Sequence, residues 1–190
     1  MYMVGLKKTK DQLKEIFKRV TDLLNKYKIN FFVFYGTLLG IIRSNDLIDN
    51  DDDVDILVHI SDQQKVKILE DGHLIEVREL KYDHQGEVHS MIQLYFKNDL
   101  GPCDIYFYEE RDHLIYIRWD FGLIYDTCDI FPLISKQFLD RNILIPKNSE
   151  KILRETYGEK WKIPIKREDY DWENINGKVN IIYNPEKNNG

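Results

Sequence analysis

The sequence predicts an α+β domain in which a mixed or antiparallel sheet is flanked by helices. Three observations predict it. One amphipathic stripe lies near the N-terminus, strand-like segments separated by turn residues run from residue 73 to 118, and 12 Tyr and 9 Phe give an aromatic content that suits strands. The chain of 190 residues is long enough for one domain with a sizeable core and cramped for two, so residues 1–190 read as a single domain. Within it, 165–190 form a polar C-terminal tail.

Taken in order, Leu13, Ile16, Phe17, Val20, Leu23, Leu24 and Tyr27 recur at three- and four-residue steps and predict the first helix, with Thr9 and Gln12 as its capping box. Phe31 to Tyr35 is a short apolar run and reads as a buried strand. Gly36-Thr37 breaks it, Leu38 to Arg43 reads as a short helix, and Ser44 to Asn50 as a polar loop. Asp51 to Ile60 alternates as a strand does, with Val54, Ile56 and Val58 on one face and Asp51, Asp53 and Asp55 on the other; Asp52 then points away from them. Ser61 with Gln64 suggests a capped helix to about Glu70. His73–Leu80, Val88–Phe96, Cys103–Tyr108 and Leu114–Arg118 read as an antiparallel meander that extends the first two strands, with Gly86, Gly101 and Pro102 among the turn residues. Asn142 to Ile145 is a further strand, and Asn148 a cap for a helix through about Thr156.

Composition narrows the function. A net charge of −6 is unlike a general nucleic-acid binder, so no nucleic-acid partner is expected. An acidic chain can still take a phosphate-bearing substrate if a divalent cation supplies the positive charge. Cys103 and Cys128 form neither a zinc pattern nor a disulfide framework. With no apolar run long enough to span a membrane, the expectation is a soluble, cytoplasmic protein. The five His (59, 73, 84, 89, 113) lack zinc spacing, though His84 and His89 flank a hairpin from which they could reach a substrate.

The sharpest feature is Asp51-Asp52-Asp53-Val54-Asp55-Ile56. Alternate residues of a strand share a face, so Asp53 and Asp55 lie together at about 6.5 to 7 Å. Two carboxylates so close repel unless a cation sits between them, and Mg²⁺ suits such a pair. The alternative is a solvated acidic turn. Against it, the cluster leads straight into a buried strand, and fifteen residues earlier stands Phe34-Tyr35-Gly36-Thr37-Leu38, a strand–Gly–Thr–helix turn. Gly36 lets backbone approach a ligand, the helix N-terminus offers free N–H groups to phosphate, and Arg43 lies further along the same helix. Asp104, between Cys103 and Ile105, is a carboxylate in an apolar strand and needs a partner, either an arginine or a cation shared with Asp53 and Asp55.

Tyr35-Gly36-Thr37-Leu38-Leu39-Gly40-Ile41-Ile42-Arg43 followed by Asp51-Asp52-Asp53-Val54-Asp55-Ile56 resembles the signature of the LicD family, a group within the nucleotidyltransferase superfamily that includes bacterial phosphocholine transferases and fukutin-type enzymes. Ile48-Asp49-Asn50 departs from that family's usual Ile-Pro-aromatic lead-in. Cys103-Asp104-Ile105-Tyr106, Asp129-Ile130-Phe131-Pro132-Leu133 and Tyr157-Gly158-Glu159-Lys160-Trp161 resemble its later motifs. The resemblance implies a nucleotidyltransferase-like fold, Mg²⁺ (or Mn²⁺) held by Asp53, Asp55 and Asp104, and substrate contacts from Gly36, Thr37, Arg43, Lys160 and Trp161. It also implies a CDP-linked, nucleotide-activated donor, a glycan or sugar acceptor and release of CMP. Two rival expectations stand beside it: transfer of NMP from an NTP to a sugar phosphate or other acceptor, and a non-catalytic nucleotide-binding domain.

Overall fold

The computed structural model describes residues 7–165 apart from 85–86, 99, 118 and 120–123, together with the backbone but not the side chains of 82–84 and 87. The Gly86 turn, the His84 side chain and the tail from 166 onward lie outside the described residues. Helix α1 (Lys10–Lys26) begins with the expected capping box: Thr9 Oγ1 accepts from Gln12 N–H and Gln12 answers to the Thr9 N–H. Its apolar stripe is buried from Leu13 to Leu24. Each such side chain contributes roughly 1.5–3 kcal/mol by leaving water.

Strand β1 (Phe31–Val33) is followed at once by α2 (Tyr35–Ser44), then β2 (Val54–His59), a 3₁₀ turn, α3 (Gln63–Lys67), β3 (Leu74–His84), β4 (Glu87–Phe96), β5 (Gly101–Arg111), β6 (Leu114–Ile117), β7 (Ile124–Asp126), α4 (Thr127–Ile130), β8 (Ile134–Phe138), β9 (Arg141–Ile145) and α5 (Ser149–Tyr157). Among the described residues the main sheet has the order β1-β2-β5-β4-β3, with β6 and β7 continuing from the far half of β5. The meander β3-β4-β5 is antiparallel as expected, but it joins the first two strands through β5, parallel to β2, and leaves β3 at the edge. The β2–β5 pair is buried on both faces, as parallel pairs usually are.

Four local expectations are corrected. The strand expected from Asp51 begins only at Val54, because Asn50 takes a left-handed conformation (φ 63°) and turns the chain just before it. Ser61 does not cap α3; its hydroxyl pairs with His59 Nδ1, and the helix is one short turn ending at Lys67. Asn148 does occupy the N-cap position of α5, but its amide donates to Asp129 Oδ1. Gly101 and Pro102 belong to β5 itself, where Gly101 takes a positive φ of 103° as the chain enters the strand.

Candidate active site

Topology delivers three segments to one edge of the sheet. Strands β2 and β5 are parallel, so their N-terminal ends lie side by side and Asp55 is the register partner of Asp104. Strand β1 is antiparallel to β2, so its C-terminal end, and the turn into α2, arrives at the same edge. The segment leading into β2 carries Asp51, Asp52 and Asp53. One carboxylate oxygen from each of these three lies within 4.8 Å of the others. Asp52 therefore converges with its neighbours. Residues 51–53 precede the strand, and alternation does not govern them; the Asn50 turn and the Asp52 N–H donated to Asp51 Oδ1 (3.2 Å) do.

The glycines of α2 make this possible by absence of bulk. A Cβ on Gly36 would stand 2.9 Å from Asp51 Oδ2 and 3.1 Å from Asp55 Oδ2. A Cβ on Gly40, one turn on, would stand 2.6 Å from the Asp46 carbonyl oxygen and 3.0 Å from the Ile48 nitrogen. Segment 46–55 thus runs along the bare face of α2. Its far end is pinned to α1 by Lys10 and Lys14, which hold Asp46 at 3.1 and 3.0 Å. Its near end is held by the Lys8 N–H donated to the Asp51 carbonyl (2.7 Å). Thr37 is buried and engaged with Asp55 twice: its N–H donates to Asp55 Oδ2 (3.2 Å), and its Oγ1 accepts the Asp55 N–H (2.8 Å). Thr37, expected as a substrate contact, here holds the Asp55 carboxylate by its N–H and the Asp55 backbone by its hydroxyl.

Asp104 is held from the other side. Gln93, its register partner on β4, donates from Nε2 to Asp104 Oδ1 (3.1 Å), and the Tyr106 hydroxyl lies 3.5 Å from Oδ2. Tyr35, at a strained φ of 41°, packs edge-on against Tyr106 with ring centres 4.9 Å apart. Asp52, Asp55 and Asp104 are buried, and Asp51 and Asp53 half-buried. Burial, reinforced by Asp55, Asp104, Asp51 and Asp52, pushes the Asp53 carboxyl well above its ordinary range. Burial likewise raises Asp55, with Asp51 and Asp104 adding to it and the Thr37 N–H offsetting part. Oxygen donors of this kind, two of them held up by burial and neighbouring like charge, could hold a hard divalent cation.

Gly36 and Thr37 adjoin Asp55, and Asp104 is its register partner, whereas the carboxylates whose oxygens lie within 4.8 Å of one another among the described residues are Asp51, Asp52 and Asp53, not Asp53 with Asp55 and Asp104. Arg43 lies two turns beyond Gly36 on α2, half-buried, without a hydrogen bond or ion pair among the described residues. Trp161 is 4% exposed and packs in the hydrophobic core, while Lys160 is exposed on the turn after α5 and forms no ion pair among the described residues. His89 is buried on β4. Sequence reasoning missed Gln93, although a lone amide in Met91-Ile92-Gln93-Leu94 is the kind of interior polar residue that asks for a partner.

Residues 28–148 match the family model described as LicD/FKTN/FKRP, nucleotidyltransferase domain. The chain is 31% identical over 169 residues to ribitol-5-phosphate transferase FKTN of Homo sapiens, covering 84% of this chain and 34% of that protein. It is 32% identical over 180 residues to the Mus musculus protein of the same name, covering 90% of this chain and 36% of that one. It therefore spans about a third of the length of these relatives. Among solved structures, lincosamide antibiotic adenylyltransferase LnuA, lincomycin-bound, is similar with a TM-score of 0.49 at 16% identity, over 77% of this chain and 85% of that one. With a family model matched over most of its length and relatives above 30% identity across most of the chain, this protein belongs to the LicD/FKTN/FKRP nucleotidyltransferase-domain family.

Proposed function

We propose that this protein is a metal-dependent transferase that moves a phospho-substituent, of the phosphopolyol or phosphocholine type, from a CDP-activated donor to a hydroxyl of a glycan. The observation that carries the reading is the convergence of Asp51, Asp52 and Asp53, with Asp51 and Asp55 both against Gly36 of α2 and Asp104 beside Asp55 in register. Family membership and the phosphopolyol chemistry in the names of its relatives support the choice of donor.

In this reading Asp53, Asp55 and Asp104 hold Mg²⁺ or Mn²⁺, with Asp51 and Asp52 adjoining. The fit rests on the donor set: oxygen ligands only, and buried like charges whose protonation is favoured in the absence of a counter-ion. Bound there, the cation supplies positive charge to the donor's phosphates and to the leaving nucleotide. The chain's own groups do the rest. Thr37 keeps Asp55 in one orientation, and Gly36 leaves the room that two carboxylates require. Asp104 takes the proton of the attacking hydroxyl as the new O–P bond forms and the P–O bond to CMP breaks. Arg43 and Lys160 are the cations this reading assigns to the donor's phosphates, and Trp161 supports the turn that carries Lys160.

The test is product analysis. The chain with Mg²⁺, a panel of CDP-linked donors and glycan acceptors is expected to release CMP and leave a phosphodiester on the acceptor, followed by chromatography and ³¹P NMR. Release of pyrophosphate from an NTP would instead point to nucleotidyl transfer, the activity that the family's domain description favours as second reading. Wild-type turnover in both Asp53→Asn and Asp55→Asn would overturn the assignment.

A further inference from the structure

Beyond the carboxylates, one polar row crosses the sheet from its edge to the candidate site. The register places Arg78 opposite Gln93, Gln93 opposite Asp104, and Asp104 opposite Asp55, so four neighbouring strands contribute one residue each to a single line on one face. The side chains along it are linked. Arg78 Nη1 lies 3.4 Å from the Tyr95 hydroxyl and its guanidinium stacks over the Tyr95 ring at 4.7 Å. The Tyr95 hydroxyl donates to Gln93 Oε1 at 2.8 Å, and Gln93 Nε2 donates to Asp104 Oδ1 at 3.1 Å. Glu76 holds Arg78 from behind through Nε (3.1 Å) and Nη2 (3.0 Å).

The order of donors in this chain is forced by chemistry. A guanidinium can only donate, so the Tyr95 oxygen accepts and its one proton is free for Gln93. Gln93 Oε1 is then occupied as an acceptor, which turns its NH₂ toward Asp104 and excludes the flipped amide. The carboxylate at the end can only accept while it is ionised. A neutral amide at this place also has a specific merit: it fixes the carboxylate without cancelling its charge, as a lysine or arginine would. We propose that Tyr95 and Gln93, set by Arg78, are positioning residues that hold Asp104 in its cation-binding orientation while leaving its charge intact. This rests on the reading of Asp53, Asp55 and Asp104 as cation ligands.

The experiment measures Mn²⁺ directly on the purified 190-residue chain, by calorimetry and by the Mn²⁺ EPR signal, alongside turnover with the donor found active. Four variants are compared after their folds are checked by circular dichroism: Gln93→Leu, Gln93→Lys, Tyr95→Phe and Asp55→Asn. Removing an outer partner of a metal ligand typically weakens metal binding by about 10- to 100-fold, and that range is expected for Gln93→Leu. Gln93→Lys, which restores a donor but adds a positive charge, should be no better than Gln93→Leu. Tyr95→Phe deletes one hydroxyl whose partners are Arg78 and Gln93 and none of the carboxylates; it should weaken Mn²⁺ binding several-fold and lower kcat while KM for the donor stays near the wild-type value. Wild-type Mn²⁺ affinity in folded Gln93→Leu and Tyr95→Phe, with binding lost in Asp55→Asn, would overturn the positioning role and leave the carboxylate site standing. Full rescue by Gln93→Lys would overturn the claim that a neutral donor is required. Wild-type protein that binds no Mn²⁺ would overturn both the site and its positioning row.

Discussion

Asp55 is the residue on which the local chemistry is most concentrated. It is buried, faces other carboxylates, and is gripped by the Thr37 main chain and hydroxyl. Its carboxyl is pushed up in the folded chain, so ionisation there costs stability: no cost below the ordinary carboxylate value of about 3.9, and a growing one as pH rises from there through the folded value. Asp55→Asn should therefore melt higher than wild type in chelator at pH 7, and the gap should close near pH 4. The same substitution should lower turnover by at least about 10²-fold, the scale of losing one preorganised electrostatic contact. A calorimetric pH series and a steady-state assay check the two halves. Gly36→Ala tests the same point by bulk. The atoms its Cβ would meet are the side-chain oxygens of Asp51 and Asp55 rather than backbone, so the fold should survive, and the carboxylates should move. Displacement on the ångström scale is expected to cost roughly 10²-fold in turnover, with the melting temperature little changed. The acidic run and the Gly36-Thr37 turn were legible from sequence because both are contiguous. The Thr37–Asp55 bonds were not, since they join residues 18 apart and depend on how α2 leaves β1.

Between elements, Asp129 is the clearest joint. It lies on α4, accepts from Asn148 Nδ2 (2.7 Å) and pairs with Lys151 of α5. Burial alone would raise its carboxyl, but the Lys151 and Asn148 bonds outweigh it and hold it below its ordinary value. The sign is opposite to that of Asp55: this joint stabilises fully above the ordinary carboxylate value and is lost as pH falls through the lower folded one. Asp129→Ala leaves Asn148 and Lys151 without their acceptor and should cost on the order of 1–3 kcal/mol at pH 7, less in strong acid, measured by urea unfolding at both pH values. Here α4 was not expected, while the start of α5 was readable from Asn148. What Asn148 binds was not, because a capping residue's side chain is free to choose between its own helix and a neighbouring element.

For the molecule as a whole, the proposed site should be coupled to stability through mass action. If Mg²⁺ or Mn²⁺ with a CDP-linked donor binds the folded chain alone, the melting temperature rises with ligand concentration, by about 2.7 kcal/mol of stability at a hundredfold excess over Kd. The rise should be absent in Asp53→Asn and Asp55→Asn, and a thermal-shift titration reads it. Sequence by itself determined the features that neighbours along the chain can encode: the α1 stripe with its Thr9 cap, the strands of the meander, the glycine turn and the acidic run that leads into β2. Only the tertiary structure decided that β5, and not β3, lies beside β2, which makes Asp104 the partner of Asp55. It alone decided that Asp52 joins the cluster and that Gln93 and Tyr95 stand behind Asp104. The reason is the range of the forces involved. Alternation and capping act over a few residues and leave a pattern in the sequence. Strand order is chosen by long-range burial among segments whose patterns look alike, and no one segment records that choice.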